Sequence, residues 1–115
     1  MIKAAHIVLY SKNPSADREF FRDVLKYPYV DAGHDWLIFK LPPAEVAVHP
    51  SDINGAQELF LMCEDVETFI AEMGAQGVAC SQIQPERWGL ITRLTLPGGG
   101  TLGVYEPRHP SPLNL

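Results

Sequence analysis

The sequence predicts an α+β domain made of two tandem βαβββ modules. Two observations support this fold class: the order of predicted elements, a strand followed by a helix and then by about three strands, occurs twice, and the second copy begins about fifty residues after the first. The length of 115 residues is enough for one hydrophobic core but too short for two independent domains. We therefore expect a single domain over residues 1–110, with modules at about 1–52 and 53–110 and a short tail at 111–115.

The first module begins with an apolar stretch at residues 4–10 that predicts a strand. Asn13 followed by Pro14 is typical of a helix start, and the helix that follows carries an apolar stripe. This stripe consists of Phe20, Phe21, Val24 and Leu25. Turn-forming residues within 26–35 then precede two short strands, "WLIFKL" and "AEVAVHP", within residues 36–50.

The second module repeats this order from residue 57 onwards. "QELFLMCED" predicts a strand, and the next segment predicts a helix that ends at a glycine C-cap, either Gly74 or Gly77. The apolar stripe of that helix consists of Val66, Phe69, Ile70 and Met73. "VACSQI", "WGLITRLTL" and "TLGVYE" predict three more strands, and the "PGGG" between the last two predicts a turn.

The charge and the motifs of the chain argue against several classes of protein. The net charge is −5 and no basic run occurs, so we expect no nucleic-acid partner. Cys63 and Cys80 do not form a CxxC pair, and the N-terminus is too interrupted for a signal peptide or a membrane span. We therefore expect a cytoplasmic location with reduced thiols. The nucleophile elbow GxSxG, the phosphate loop GxxxxGK and the zinc motif HExxH are absent from the sequence.

Matching the two halves pairs positions that lie at the same place in each module. "HIVLYSKN" matches "ELFLMCED", which pairs His6 with Glu58. "LPPAEVAV" matches "LPGGGTLGV" with one residue inserted, which pairs Ala47 with Gly103. A histidine and a glutamate at equivalent strand positions are as compatible with a functional pair as with a structural one.

These segments make the chain similar to the vicinal oxygen chelate superfamily, which holds glyoxalase I, bleomycin-resistance proteins, fosfomycin-resistance enzymes and extradiol dioxygenases. The resemblance covers nearly the whole chain and rests on "AHIVLYSKNPSADREFFRDVL", "WGLITRLTLPGGG" and "LGVYEP". It implies that the modules form a cup-shaped mixed sheet, with the helices on the convex face and a ligand on the concave face. Because the superfamily carries many activities on one scaffold, the resemblance indicates the fold more sharply than the reaction.

Within that fold, alternation along each strand separates side chains that face the helices from those that face the cup. On the helix side we expect Ile7, Leu9, Leu59, Leu61, Cys63, Leu90, Leu94, Leu96 and Val104. The ligand-binding residues expected on the concave side are His6, Trp36, His49, Glu58, Phe60, Ile91, Arg93 and Tyr105. Ala47 and Gly103 share this side, and the small size of these residues is expected to widen the cavity.

The resemblance also raises the question of a metal. In metal-using relatives a divalent ion such as Fe, Mn, Ni, Zn or Co is held by a His or Glu on the first strand of each module and by Glu or Gln on the last strands. This sequence has His6 and Glu58 at the first-strand positions but Ala47 and Gly103 at the last-strand positions. Two protein ligands hold a labile ion weakly, because catalytic sites typically keep about three.

Two functions remain open at this point, and an enzymatic role is one of them. The first is a metal-free protein that binds a small aromatic or oxygen-rich molecule in the cup, which the missing last-strand ligands favour. The second is a metal-dependent lyase, isomerase or extradiol-type dioxygenase with His6 and Glu58 as ligands. His49 or Glu106 would then complete the set, although His49 requires the ion to move and Glu106 has outward parity. A structural alternative is that Arg93 simply neutralises Glu58.

The remaining expectations concern partners and single residues. We expect a small-molecule ligand, no membrane partner and a homodimer, since a chain this small buries limited surface alone. Trp36 and Trp88 suit core or interface anchors as well as ligand contacts. His34 and His109 fall in expected loops, where solvent exposure is the simplest interpretation.

Overall fold

The computed structural model describes residues 6–7, 9, 11–45, 47, 52–54 and 56–114. Within these residues the chain forms two α-helices, six β-strands and one short 3₁₀ helix. In chain order they are α1 (Pro14–Asp23), β1 (Tyr29–Asp31), β2 (Leu37–Phe39), β3 (Phe60–Met62), α2 (Val66–Ala75), β4 (Gln84–Glu86), β5 (Gly89–Thr95), β6 (Thr101–Pro107) and the 3₁₀ helix Pro112–Asn114. The α+β class predicted from the sequence is confirmed.

The larger sheet is open and mixed, and it has the order β3-β6-β5-β4. β3 runs parallel to β6, whereas β5 pairs antiparallel with both β6 and β4. β1 and β2 form a separate antiparallel pair that belongs to the first module. The second module therefore shows the complete predicted order of strand, helix and three strands.

Each helix begins at a residue whose side chain caps the first turn. For α1 the sequence predicted this start. Asn13 Oδ1 accepts a hydrogen bond from the Ala16 amide at 3.3 Å, and Asp65 Oδ1 accepts one from the Thr68 amide at 2.9 Å. At the end of α2 the backbone turns at Gly77, whose φ of +75° is the left-handed conformation that glycine adopts readily. Of the two glycines predicted for the C-cap, Gly77 is the one that the helix uses.

The hydrophobic core lies between the two helices and one face of the larger sheet. Its buried members are Phe20, Phe21, Met73, Leu94, Leu96, Leu102 and Val104, with Leu59, Leu61 and Cys63 packed at its margin. Thr92 is fully buried among the apolar strand residues, and its hydroxyl donates to the Ser81 carbonyl at 2.8 Å. The helix-facing side of the second module therefore follows the predicted alternation, because every second side chain of these strands packs against the helices.

Two strands differ from the sequence prediction. Residues 26–35 were expected to form turns, but Tyr29–Asp31 pairs with Leu37–Phe39, so only the tight turn around Gly33 remains. All three residues of β1 are exposed, and a strand without a buried face gives no alternation to detect.

The other difference concerns the strand predicted at residues 78–83. Cys80 makes a single bridge to Leu94, and regular pairing resumes only at Gln84, which pairs with Ile91. The segment between these pairs is one residue longer on the Cys80 side, which is the geometry of a β-bulge. Pro85 lies in the edge strand β4, where a missing backbone N–H is tolerated.

Much of the predicted strand at residues 4–10 and of the strand "AEVAVHP" lies outside the described residues. Ile7 and Leu9, expected on the helix side, are described and are 43% and 44% exposed. Within the described part of the chain, neither helix is long and apolar enough to cross a membrane.

Candidate functional site

The sheet face opposite the helices carries most of the predicted site residues of the second module. The register places Phe60, Gly103 and Arg93 side by side on β3, β6 and β5. The next row, two residues further along each strand, consists of Met62, Tyr105 and Ile91. Four of the predicted ligand-binding residues, Phe60, Ile91, Arg93 and Tyr105, therefore share one face, as the alternation required.

The ring of Phe60 covers the backbone of Gly103. A Cβ atom placed on Gly103 would lie 2.5 Å from Phe60 Cδ1, so the ring occupies the space that a side chain at this position would need. The guanidinium carbon of Arg93 lies 5.4 Å from the centroid of the same ring. The expectation that Gly103 widens the cavity is therefore wrong at this strand, because Phe60 fills the space.

Phe60 also belongs to an aromatic cluster with Trp88 and Tyr105. The three rings meet edge to face, with centroid distances of 5.6 Å for Phe60–Trp88, 5.7 Å for Phe60–Tyr105 and 5.0 Å for Trp88–Tyr105. Tyr105 is buried, whereas Trp88 remains 38% exposed and presents part of its indole to solvent. The alternation of β5 does not assign Trp88 to this face, because it lies in the turn before the strand begins at Gly89.

A loose ion pair borders the aromatic cluster. Arg93 Nη2 lies 3.6 Å from Glu58 Oε2, and the two side chains are 42% and 63% exposed. The predicted neutralisation of Glu58 by Arg93 is therefore present. An exposed pair of this kind contributes little to stability, because solvent screens both charges.

The hydroxyl of Tyr105 connects the cluster to the first module. It donates to Glu45 Oε1 at 3.4 Å and lies 3.0 Å from His109 Nε2, while Ser111 Oγ donates to Glu45 Oε2 at 2.9 Å. Burial, together with the nearby Glu45 carboxylate, raises the pKa of Tyr105. His109 is thus half-buried rather than in an open loop, and Glu45 joins the site although no pattern in residues 44–50 distinguished it.

The other predicted site residues lie away from the aromatic cluster or outside the described residues. His6 is exposed, and among the described residues no hydrogen bond or ion pair joins it to Glu58. Trp36 is 58% exposed and lies against α1, with the Arg18 guanidinium carbon 4.9 Å from its ring centroid. His49 lies outside the described residues.

The described residues do not fit the four-ligand metal site that the resemblance implies. The carboxylate of Glu58 faces a guanidinium, and the Phe60 ring fills the place of a ligand side chain at Gly103. Among the described residues, no three His, Cys, Asp or Glu side chains come close enough together to hold an ion. Glu106 is also unsuited, because its carboxylate accepts a hydrogen bond from the Val66 amide at the start of α2.

Two clefts open on other parts of the surface. One of about 250 Å³ lies between α1 and the β1–β2 pair, and another of about 360 Å³ lies beside the first turns of α2. Charged side chains line much of both: Arg18, Glu19, Arg22, Asp31 and Asp35 in the first, and Glu64, Asp65 and Glu72 in the second. Neither includes a residue of the aromatic cluster, so side-chain contacts on an open sheet face define the candidate site.

Comparison with known proteins identifies the architecture. Neither a protein-family model nor a curated protein sequence matches the chain. Among solved structures, the chain is similar to TnmS3, an antibiotic-binding protein from Streptomyces sp. CB03234, with 20% identity over 93% of this chain and 99% of that one and a TM-score of 0.64. It is also similar to lactoylglutathione lyase from Agrobacterium tumefaciens, with 17% identity over 90% and 92% of the two chains and a TM-score of 0.63.

A glyoxalase family protein from Enterococcus faecalis matches in the same way, with 20% identity over 80% of this chain and 87% of that one and a TM-score of 0.59. At such identities the similarity concerns the arrangement of the backbone. The chain therefore has the vicinal oxygen chelate fold, the fold of the glyoxalase and bleomycin-resistance structures.

Proposed function

We propose that the chain binds a small aromatic molecule on the concave face of its sheet, without a metal ion. The observation that carries this proposal is the aromatic cluster of Phe60, Trp88 and Tyr105, in which the Trp88 indole remains partly exposed and the Arg93 guanidinium lies over the Phe60 ring. An exposed ring held in place by two others offers a rigid stacking surface, and each aromatic pair contributes about 0.5–1.5 kcal/mol beyond burial.

The fold by itself does not choose between binding and catalysis, since the similar structures include an antibiotic-binding protein and a lyase. The choice rests on the side chains of this chain. Metal-dependent chemistry of the glyoxalase or dioxygenase type needs ligands on the last strands, where this chain has Ala47 and Gly103. An aromatic surface bordered by one cation suits recognition of a planar molecule instead.

Titration of the two tryptophan indole N–H signals by NMR tests the proposal. The probe is naphthalene-2-carboxamide, a neutral bicyclic aromatic, added in the presence of EDTA, and the Trp36→Phe variant assigns the Trp88 signal. We expect saturable shifts of the Trp88 signal in the wild-type protein, and ligand-observed NMR should give a probe affinity at least about tenfold weaker for Trp88→Leu. Trp36→Leu is the matched control, because Trp36 lies beside α1, and it should bind the probe normally.

Two outcomes contradict the proposal. One is the absence of any saturable shift of the Trp88 signal with either this amide or the corresponding carboxylate at millimolar concentration. The other is stoichiometric binding of Ni, Mn, Fe(II), Zn or Co by the EDTA-stripped protein that is lost in His6→Ala, which would support the metal-dependent enzyme instead.

We further propose that the chain forms a homodimer. Val30 and Ile38 pair directly across β1 and β2, and both apolar side chains are exposed, at 65% and 36%. A second copy that covers this surface would remove apolar area from water. Light scattering should give twice the mass of one chain, and Val30→Asp should shift the protein towards monomer. A monomeric wild-type protein at micromolar concentration contradicts this proposal.

A further inference from the structure

We propose that Arg93 is the anion-binding centre of the concave face, and that the molecule bound there is a planar aromatic carboxylate whose carboxylate displaces Glu58 from Arg93. This inference rests on the proposed function and narrows it to one chemical class.

The guanidinium of Arg93 lies over the Phe60 ring and close to the backbone of Gly103. Its carbon lies 5.4 Å from the Phe60 ring centroid, within the range of a cation–π interaction. Its Nη1 lies 3.4 Å from the position of a Cβ on Gly103, so the ring and the guanidinium together cover the glycine. A guanidinium that already rests on an aromatic ring loses less freedom when it binds an anion than a fully solvated one does.

The donors of Arg93 are only partly used by Glu58. The separation of 3.6 Å between Arg93 Nη2 and Glu58 Oε2 is longer than the roughly 2.7–2.9 Å of a charge-assisted hydrogen bond. A guanidinium presents five N–H donors in a planar fork, and a carboxylate can accept two of them in parallel. Since the Glu58 side chain is 63% exposed, little holds it against a ligand that forms both bonds.

The aromatic cluster lies at the right separation from this cation. Arg93 and Gly103 form one row of the sheet face, and Ile91 and Tyr105 form the next. Rows two residues apart along a strand are about 6–7 Å apart. A bicyclic aromatic carboxylate has about this length, so its rings can contact the exposed part of the Trp88 indole, which packs on Tyr105, while its carboxylate reaches Arg93.

The test compares two probes of the same shape, naphthalene-2-carboxylate and the neutral naphthalene-2-carboxamide, by NMR titration of the full chain. We expect the wild-type protein to bind the carboxylate about tenfold more tightly than the amide. Arg93→Gln should remove this preference, and Arg93→Lys, which keeps the charge but not the fork, should retain only part of it.

Glu58→Gln is the most specific variant for this test, because loss of a structural ion pair alone would not improve binding of the carboxylate probe. We expect it to tighten carboxylate binding by about threefold or more and to leave amide binding unchanged, since it removes the competing carboxylate. Glu64→Gln makes the same change of net charge at an exposed position beside α2 and should leave the binding of both probes as in the wild type.

The outcomes separate this inference from the proposed function. Equal binding of the two probes at the Trp88 signal, or a Glu58→Gln variant that behaves like Glu64→Gln, overturns the inference and leaves the aromatic site in place. Failure of both probes to bind overturns the proposed function itself. If Arg93→Gln does not fold, the comparison of Glu58→Gln with Glu64→Gln still tests whether Glu58 competes with the carboxylate probe for Arg93.

Discussion

Asp17 shows how one buried residue joins distant parts of the chain. Its side chain is 9% exposed, and Asp17 Oδ1 accepts a hydrogen bond from the Gly98 amide at 2.8 Å. Gly98 lies in the "PGGG" turn between β5 and β6, and a Cβ there would lie 2.5 Å from Ser11 Oγ and 2.8 Å from Asp17 Oδ2. The glycine therefore allows the turn to approach α1 closely, and the carboxylate holds it there.

Asp17→Ala should lower the free energy of unfolding by about 1.5–3 kcal/mol, because it removes a partly buried hydrogen bond to a charged acceptor. Chemical denaturation measures the change. Glu19→Ala, on the exposed side of the same helix, is the control and should change stability by less than about 0.5 kcal/mol. Equal effects of the two substitutions would contradict this role of Asp17.

Cys63 should react slowly as a thiol. Burial, followed by the nearby carboxylates of Glu106 and Asp65, raises its pKa from 9.0 to about 11. At pH 8 the thiolate fraction is then about a hundredfold below that of an ordinary cysteine. A Cys80→Ser variant should therefore modify with a disulfide reagent far more slowly when native than when denatured in guanidinium chloride, and similar rates in the two states would refute the expectation.

The raised pKa of Cys63 also makes the free energy of unfolding depend on pH. Between about pH 9 and 11 the unfolded thiol ionises before the folded one, so unfolding releases a proton. This contribution to stability is present below pH 9 and decreases as the pH rises through that range.

At the scale of elements, the sequence predicted best the strands whose alternate side chains pack against the helices. β5 and β6 alternate as expected, because every second side chain packs under the helices. β1 and β4 were misplaced because all the residues of both strands are exposed, and the bulge after Cys80 shifts the register of β4. The start of α1 was predictable from Asn13 and Pro14, since capping depends on neighbouring residues alone.

Gly89 fixes how closely β5 approaches β6 where the concave face begins. A Cβ at this position would lie 2.5 Å from the Glu106 carbonyl oxygen and 2.8 Å from Tyr105 Cδ2. We expect Gly89→Ala to lower the melting temperature and cost about 1–3 kcal/mol, because backbone atoms must move apart. Gly74→Ala, in α2 with open space around it, should be neutral or stabilising by up to about 1 kcal/mol. A neutral Gly89→Ala would show that the strands separate easily.

At the scale of the whole molecule, Glu45 links the first module to the end of the chain. Its carboxylate accepts hydrogen bonds from the Tyr105 hydroxyl and the Ser111 hydroxyl, which are 60 and 66 residues away in the sequence. The segment after β6 is thereby attached to the first module beside the candidate site. Tyr105 is buried, so its hydroxyl depends on this contact and on His109.

Glu45→Ala should destabilise the chain by about 1–3 kcal/mol, because two hydroxyl groups lose their acceptor. Ser111→Ala, which removes one of the two bonds, should cost about 1 kcal/mol or less. Glu72→Ala, at an exposed position on α2, is the matched control for loss of a carboxylate. Thermal unfolding of the three variants measures the order, and a Glu45→Ala variant as stable as Glu72→Ala would show that the link contributes nothing.

Residue identity and local periodicity were enough to predict the class of the fold, the helix-facing sides of β5 and β6, and the absence of acidic side chains at Ala47 and Gly103. Each of these follows from residue identity or from a local period of two or 3.6 residues. Three contacts became known from the three-dimensional arrangement alone: the Phe60 ring fills the space above Gly103, Trp88 joins the aromatic cluster from a turn, and Glu45 bonds to Tyr105 and Ser111. These contacts join residues far apart in the chain, and no local pattern records which distant segments come together.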